Sequence, residues 1–249
     1  MYNGYGVFAS VYDLLTENVE YERRAKYFDS LIKKLGGKQN GVLLDLACGT
    51  GSLSELFDSL GYDVIGIDNS PEMLGVAMDK KFESGRDIRY VCQDMRKLEL
   101  YGNADITVCA LDSLNHLENL SDVKKVFERV YRFTEPGGLF IFDMNTQYKH
   151  REVLGNNTFV YDTDDVYCVW QNSCTDSTVS IYLDFFIPDE SGHYERYSED
   201  FTETAYPVDE IIQAITQAGF EPEGIYAEDS FDEVCETTER VVFAVRKPA

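Results

Sequence analysis

Apolar side chains in the first part of the chain recur at two different spacings. Over residues 7–35, aromatic and aliphatic residues return every three to four positions, which predicts two amphipathic helices. We expect the break between them near residues 16–18, where Thr16 or Asn18 could cap the second helix. From residue 42 onward, short runs of branched apolar residues alternate with further helical patterns. Such runs are typical of strands that are covered on both faces.

Seven apolar runs predict the strands of one sheet. They cover residues 42–46, 63–67, 88–92, 104–111, 139–143 (after a turn at 136–138), 223–226 and 240–245. The intervening segments predict helices over residues 52–60, 71–82, 121–132 and from Pro207 to Gly219, with Ser70 and Ser121 as N-caps. The alternation of strand and helix predicts an α/β fold: a doubly wound, mostly parallel, seven-stranded Rossmann-like sheet.

The pattern changes at about residue 146. Four runs rich in β-branched and aromatic residues follow, separated by turn-like segments, over residues 159–161, 166–170, 179–187 and 194–201. They predict an inserted small antiparallel β-sheet that covers a ligand cleft or, because it has exposed edges, forms a contact in a homodimer. We therefore divide the chain into N-terminal helices and core (1–145), inserted sheet (146–204) and a C-terminal helix with a strand pair that completes the core (205–249).

Composition excludes several classes of partner. The formal charge of −23, from 45 acidic and 22 basic residues, opposes binding to nucleic acid, which needs clustered lysine and arginine. No apolar run approaches the roughly 20 residues that cross a bilayer, and no secretion signal is visible, so we expect no membrane partner. The six cysteines lie far apart without a C-x-x-C pair, which indicates a reducing cytoplasm. None of the three histidines is spaced as a metal ligand, so we expect no metal site.

The strongest candidate for chemistry follows the first predicted strand. Gly49 and Gly51 remove the Cβ atoms that would keep a ligand away from the backbone. Nineteen residues after Gly49, the second strand ends in Asp68, about the spacing at which an acidic side chain accepts hydrogen bonds from the two hydroxyls of a nucleoside ribose. Glycine turn and distant acid together predict an adenosine-containing ligand.

The ends of the other predicted strands extend this candidate site. In a doubly wound sheet, ligands bind outside the carboxyl ends of the strands. That rule gathers eight residues along one edge, four of them aspartates: Ala47, Gly49, Asp68, Asp94, Met95, Leu111, Asp112 and Asp143.

A nicotinamide cofactor is the competing ligand. If Ala47 and Gly49 take the first two glycine positions of a dinucleotide-binding turn, the third position is Ser52, where such a turn usually has Gly or Ala. Asp45, just before the turn, suits a ligand with a positive amino group better than one with phosphates, which it would repel. A nicotinamide-dependent oxidoreductase therefore stays as an alternative, as does a non-catalytic module that only binds the cofactor.

Three segments resemble the class I S-adenosylmethionine-dependent methyltransferases. They are Asp-Leu-Ala-Cys-Gly-Thr-Gly at 45–51, Ile-Asp-Asn-Ser-Pro-Glu-Met-Leu at 67–74 and Gln-Asp-Met at 93–95. In this order and spacing the three are specific, and the resemblance covers residues 42–143. The segments 8–13 and 111–115, with the inserted sheet, are similar to a narrower group of small bacterial methyltransferases of unassigned substrate.

The resemblance implies S-adenosylmethionine as cofactor, which leaves as S-adenosylhomocysteine. It implies that Asp45 reaches the amino group of the methionine part, that Asp68 holds both ribose hydroxyls, and that Met73 packs on adenine. The other cofactor-binding residues that it implies are Tyr12 in the leading helix, Ala47 and Gly49 in the turn, Asn69 beside Asp68, Asp94 and Met95 at the adenine edge, and Leu111 and Asp112 beside the sulfonium. Ala47 departs from the family, which often has glycine there.

The implied reaction is methyl transfer to a small-molecule acceptor by in-line displacement, for which positioning in a dry pocket supplies several kcal/mol. His116 lies near the edge of the expected cleft and could accept a proton at neutral pH, or could have only a packing or hydrogen-bonding role in a helix start. Aromatic residues of the inserted sheet could hold a flat or cationic acceptor or could pack within the sheet: Tyr161, Tyr167, Trp170 and Tyr182.

Overall fold

The computed structural model describes residues 4–189 and 191–249. Two helices, α1 (Gly4–Leu15) and α2 (Tyr21–Lys34), precede the sheet, with a short 3-10 helix between them at Glu17–Val19. The break that the sequence predicts is confirmed, but the cap is wrong. The residue before α2 is Glu20, in the left-handed region with φ 51° and without a side-chain capping bond. The Thr16 hydroxyl instead donates to the Tyr12 carbonyl at 2.8 Å, so it ends α1.

The remaining elements follow in a regular order. The strands of the described residues are β1 (Val42–Leu46), β2 (Asp63–Asp68), β3 (Arg89–Cys92), β4 (Ala104–Cys109), β5 (Thr134–Asn145), β6 (Thr158–Asp162), β7 (Tyr167–Thr175), β8 (Thr178–Pro188), β9 (Tyr194–Thr204), β10 (Glu221–Ala227) and β11 (Arg240–Arg246). The helices are α3 (Ser52–Ser59), α4 (Pro71–Ser84), α5 (Leu120–Phe133) and α6 (Val208–Ala218). A π-helix at Lys149–Leu154, which the sequence pattern does not indicate, leads from β5 toward β6.

Seven strands form one sheet in the order β10-β11-β5-β4-β1-β2-β3. All neighbours are parallel except β11, which runs antiparallel to β5 and β10. The two faces of the sheet carry separate apolar layers. One lies under α5 and α6 around Phe127 and Ile211, and the other lies under α2 and α3 around Phe28 and Phe57. The fold class predicted from the alternation of strands and helices is confirmed.

Of the two helix N-caps predicted at serines, one is confirmed and the other is wrong. The predicted cap at Ser70 is confirmed, because its hydroxyl accepts a hydrogen bond from the Met73 amide at 3.2 Å. The predicted cap at Ser121 is wrong: Asn119 has the extended backbone of an N-cap, and its side chain accepts the Asp122 amide at 3.0 Å. Strand β5 also starts earlier than predicted, since its first residues pair with β4 through an irregular register.

The second sheet is antiparallel, in the order β6-β7-β8-β9. Its apolar face packs on α1, where Val11 joins the buried cluster of Ile181, Leu183 and Phe185. The Asn115 amide, close to the end of β4, donates to the Thr204 carbonyl at 3.0 Å and so ties the end of β9 to the main sheet. The second sheet thereby lies over the carboxyl edge of the first. None of the helices in the described ranges is long and apolar enough to cross a membrane.

Candidate active site

A cavity of about 840 Å³ lies between the carboxyl edge of the main sheet and the second sheet. This volume is in the range of small-molecule sites, roughly 300–1,000 Å³. Every residue predicted to bind the cofactor or to take part in catalysis contributes to its wall: Tyr12, Asp45, Ala47, Gly49, Asp68, Asn69, Met73, Asp94, Met95, Leu111, Asp112 and His116. The fold therefore brings together side chains that are spread over more than 100 positions of the sequence.

The glycine turn presents bare backbone to this cavity. Gly49 has φ +54°, and a Cβ added there would meet no atom within 4 Å, so a ligand can approach the main chain. Gly51 has φ +76°, and a Cβ there would overlap the Tyr90 hydroxyl. Ala47 has φ +62°, a left-handed conformation that costs an L-residue of this kind about 1–2 kcal/mol. The turn therefore forms despite the alanine, with a strained backbone at that residue.

Asp68 is fixed by the backbone around it. Its Oδ2 accepts the Gly49 amide at 2.9 Å, and its Oδ1 accepts the Ser70 amide at 2.9 Å. Each carboxylate oxygen has a second lone pair, so both can still accept a ligand hydroxyl. This arrangement suits the two neighbouring hydroxyls of a ribose. Asn69, which follows in the chain, is exposed.

Asp45 is buried at the end of β1 and accepts the Ser54 hydroxyl at 2.5 Å. Burial raises the pKa of its carboxyl to about 7; the Ser54 hydrogen bond opposes that rise and the nearby Asp68 charge adds to it. Near neutral pH this carboxyl is therefore close to half ionised. A positive group bound beside it would favour the ionised form.

The far end of the cavity carries an ion pair that the sequence analysis missed. Arg96 donates to both oxygens of Asp94, at 2.9 and 2.7 Å, and also reaches Asp122 at 3.2 Å. The Arg96 hydrogen bonds hold the pKa of the Asp94 carboxyl below its usual range. Met95 and the half-buried Met73 complete this end of the wall with apolar surface, as a flat base requires.

The loop after β4 has a strained backbone, which hydrogen bonds to a buried carboxylate stabilise. Leu111 and Asp112 have φ of 58° and 52°. Their backbone amides donate to the Asp143 carboxylate at 3.0 and 2.7 Å, which compensates a conformation that non-glycine residues rarely adopt. Asp143 is fully buried and does not line the cavity, so its position at the predicted edge supports the loop and offers no surface to a ligand.

Two buried arginines complete this support. Arg240 donates to Asp143 at 2.7 Å and to Asp112 at 3.0 Å, while Arg24 donates to Asp143 at 3.2 Å and to Glu228 at 2.7 Å. Burial alone would raise the pKa of the Asp112 carboxyl, but the Arg240 guanidinium and, to smaller extents, Lys149 and His116 together outweigh burial and hold that pKa well below its usual range. The sequence analysis missed both arginines. The available signal was a charge inside an apolar pattern, since Arg24 precedes Ala25 on the buried stripe of α2.

Helix α1 is tied to the turn by Asp13. Its Oδ1 accepts the hydroxyls of Thr50 at 2.7 Å and Ser52 at 3.0 Å, and its Oδ2 lies 2.5 Å from the Lys80 ammonium. These contacts place Tyr12 in the cavity wall. Burial raises the pKa of the Tyr12 phenol well above its usual value, so it stays protonated as a hydrogen-bond donor.

His116 lies in a 3-10 helix at Ser113–His116, ahead of α5. Its side chain is 47% exposed, its Nε2 is 3.9 Å from Glu203 Oε1, and its ring centroid is 5.2 Å from that of Phe201. The imidazole therefore contacts the second sheet, and both its roles, proton acceptor or packing group, stay predictions. A carboxylate close to one ring nitrogen can orient the ring for proton transfer.

The second sheet supplies the opposite wall. Of its four predicted aromatic residues, Tyr161 and Trp170 line the cavity and stack with centroids 6.3 Å apart. Tyr167 and Tyr182 do not line it. The sequence analysis missed polar residues that also line this part of the cavity: Asn145, Lys149, Glu199, Asp200 and Glu203.

Three comparisons with known proteins agree with this geometry. Residues 43–138 match a family model described as a methyltransferase domain. The chain is 32% identical over 246 residues to a putative methyltransferase, YqeM, of Bacillus subtilis (strain 168), a match that covers 98% of this chain and 97% of that one. It is 33% identical over 131 residues to a glycine/sarcosine N-methyltransferase of Halorhodospira halochloris, covering 50% of this chain and 48% of the other.

Among solved structures, the fold is similar to an S-adenosylmethionine-dependent methyltransferase from Clostridium acetobutylicum ATCC 824. The TM-score is 0.89 at 34% identity, with 99% of this chain and 100% of that chain covered. These comparisons do not support the oxidoreductase or the non-catalytic alternative.

Proposed function

The chain belongs to the S-adenosylmethionine-dependent methyltransferases, and on that premise we propose that it methylates a small molecule held between its two sheets. S-adenosylmethionine is its methyl donor. The observation that carries the proposal is that one cavity has a wall that combines the glycine turn and Asp68 on one side with the aromatic face of the second sheet on the other. Donor and acceptor can therefore lie together in the same cavity.

When bound, S-adenosylmethionine would supply a methyl group on a positively charged sulfur: the acceptor atom would bond to the methyl carbon as the carbon–sulfur bond breaks, and neutral S-adenosylhomocysteine would leave. The residues of the main-sheet wall fit this group. Ala47 and Gly49 line the wall where the methionine part would lie, with bare backbone at Gly49, and Asp45 in the same wall would receive its amino group. Asp68 keeps two lone pairs for the ribose hydroxyls.

The adenine and sulfonium regions follow from the remaining residues. Met73 and Met95 give apolar surface for the base, and Asn69 and Asp94 give polar groups at its rim. Asp112, beside Leu111, stays ionised because of Arg240, and a negative charge there favours a positively charged donor over a neutral product. Tyr12 closes this side from α1.

The part of the cavity beneath the second sheet receives the acceptor. In-line displacement at a sulfonium needs the acceptor atom held in position more than it needs strong base catalysis. His116, with Glu203 at 3.9 Å, is the residue we assign to take up a proton released by the acceptor. Trp170 and Tyr161 give the acceptor an aromatic wall.

The volume of the cavity and the net charge of the chain both support a small-molecule acceptor. The relative from Halorhodospira halochloris is named for glycine and sarcosine, which are small molecules. The absence of a nucleic-acid partner, a reducing cytoplasmic setting and a homodimer through an edge of the second sheet remain predictions. Light scattering in solution tests the dimer directly.

Calorimetric titration with S-adenosylhomocysteine tests the assignment of the donor site. Asp68→Ala should weaken binding at least about 100-fold, because it removes two ligand hydrogen bonds to a charged group, each worth about 1.5–3 kcal/mol, and releases the Gly49 amide. Asp63→Ala, at the exposed start of the same strand, is the matched control and should bind normally. Unchanged affinity in Asp68→Ala would reject the role of that carboxylate.

A further inference from the structure

Strand β9 carries two carboxylates on its inner face. In the register with β8, Glu199 lies opposite Leu183 and Glu203 opposite Val179, and both of those partners are buried apolar residues. Because alternate residues of a strand share a face, Glu199 and Glu203 point the same way as the apolar layer. They are 9% and 5% exposed and line the cavity.

Glu199 has no hydrogen-bond or ion-pair partner within residues 4–189 and 191–249. An ionised carboxylate that is largely removed from water without a partner is unfavourable, and strands normally avoid it. Burial, with a smaller effect of the Asp200 charge, raises the pKa of Glu199. A positive ligand group beside it would remove this penalty.

Asn145 gives an independent indication of the missing partner. Its side-chain nitrogen donates to Asp112 at 2.6 Å and to Glu203 at 3.2 Å, and since both partners are carboxylates, the orientation of the amide is fixed. Its Oδ1 is buried and has no partner in the part of the chain that the structure describes. Asn145 is 3% exposed and lines the same cavity. The cavity lining thus lacks hydrogen-bond donors at two places, at Glu199 on β9 and at Asn145 Oδ1 at the end of β5.

The cavity's own cations do not satisfy Glu199. Arg96 and Arg240 are ion-paired on the main-sheet wall. Lys149 lies among Arg240, Asp112, Glu228 and Glu203, and burial, followed by the Arg240 charge, lowers its pKa. No described cation therefore neutralises the charge at Glu199.

The overall lining favours a positive ligand as well. Nine carboxylate side chains line the cavity against three lysine or arginine side chains, so an anionic acceptor would be repelled. The carboxylates are Asp45, Asp68, Asp94, Asp112, Glu118, Asp122, Glu199, Asp200 and Glu203. Trp170 and Tyr161 add ring faces, which attract ammonium groups.

We propose that the acceptor carries a positively charged amine, which Glu199 binds beneath the second sheet. The acceptor class is then an amine-bearing small molecule, and Glu199 determines specificity through charge. This inference rests on the proposed function, because it concerns the second substrate of the same cavity.

Fluorescence of Trp170 tests the proposal without a known substrate. Trp170 is the only tryptophan of the chain and lines the cavity, so its emission reports on this wall. The protein, saturated with S-adenosylhomocysteine, is titrated with pairs of compounds that differ in amine or hydroxyl: benzylamine and benzyl alcohol, glucosamine and glucose. At least one amine should change the emission saturably, and its hydroxyl partner should not.

Two variants of the same strand make the test specific. Glu199→Gln should weaken the amine response at least about tenfold while S-adenosylhomocysteine still binds as in wild type, which shows that the fold and donor site are intact. Glu195→Gln changes the same charge at an exposed position of β9 that does not line the cavity, and should respond as wild type.

Three results would overturn the proposal. An unchanged amine response in Glu199→Gln would show that this carboxylate is protonated and needs no cation. Equal responses to amines and their hydroxyl partners, or none to any amine while S-adenosylhomocysteine binds, would remove the amine class and leave methyl transfer standing. Failure of wild type to bind S-adenosylhomocysteine would instead contradict the proposed function, and the inference with it.

Discussion

The two walls of the cavity treat their carboxylates differently. On the main-sheet wall, Asp68 accepts two backbone amides and Asp112 is bound by Arg240 and Asn145. On the second-sheet wall, Glu199 has no partner within the described residues. Carboxylates whose hydrogen bonds come from the chain itself have fixed positions, which suits a donor that never changes. A wall with an unsatisfied group is completed by its ligand, which suits selection of an acceptor.

The walls also differ in which of their features is energetically unfavourable. The main-sheet wall holds Ala47, Leu111 and Asp112 in left-handed conformations, each costing about 1–3 kcal/mol. Buried ion pairs and the Asp143 carboxylate stabilise them. The second-sheet wall consists of regular antiparallel strands, and its unfavourable feature is the buried carboxylate of Glu199.

The largest effect is expected from removing the support of the main-sheet wall. Arg240→Met leaves Asp112 and Asp143 as buried charges without their main partner, and should lower the free energy of unfolding by about 3–5 kcal/mol. Urea denaturation measures this loss. Arg89→Met removes an exposed ion pair with Asp63 and should cost less than about 1 kcal/mol. Equal losses in both variants would mean that the buried network does not hold the wall.

A smaller effect is expected from Asp45, whose pKa of about 7 lies above the usual 3.8. A raised folded-state pKa contributes stability that is lost as pH rises through about 7, whereas binding of a positive amino group gains from the ionised form. Affinity for S-adenosylhomocysteine should therefore rise about tenfold between about pH 6 and pH 8.

Two variants separate this effect from other titrations. Asp45→Asn should bind weakly and without that pH dependence in calorimetry. Asp94→Asn should keep the wild-type slope, because the lowered pKa of Asp94 leaves it ionised throughout. A wild-type affinity that is flat over this range would exclude Asp45 as the partner of the amino group.

The smallest effect is expected from Glu199→Leu. Replacing a buried, unpartnered carboxylate with an apolar residue should raise the free energy of unfolding by about 1–2 kcal/mol at neutral pH. The gain should shrink toward the acid side, because the raised pKa of Glu199 means that its cost grows as pH rises. Glu195→Leu, at an exposed position, is the control for urea denaturation. A loss of stability in Glu199→Leu would show that the carboxylate supports the sheet.

The residues of the main-sheet wall could be predicted from the sequence because the patterns that identify them are local. Gly49 and Asp68 are recognisable from a turn, a strand and the distance between them, and the topology of parallel strands brings their ends together. The supporting contacts are not local: Arg24 and Asp143 are 119 positions apart, and Asp13 and Thr50 are 37 apart. Such pairs depend on how helices dock, which hydrophobic periodicity does not determine.

The second sheet shows the same limit in another form. Its strands could be predicted from their β-branched and aromatic residues. Which side chains of β9 face the cavity, however, depends on the register of β9 with β8. Once that register is known, the alternation of Glu199, Phe201 and Glu203 places two acids inward. Similarly, Asn119 and Ser121 are both good caps, and backbone conformation decides between them.

A crystal structure of the chain with S-adenosylhomocysteine tests the central claim most directly. The account predicts the ribose hydroxyls on Asp68, the amino group beside Asp45, and the sulfur next to Leu111 and Asp112, with open space left beneath Trp170. Adenosine bound anywhere other than between Asp68 and Met73, or a ligand that fills the space under the second sheet, would contradict it.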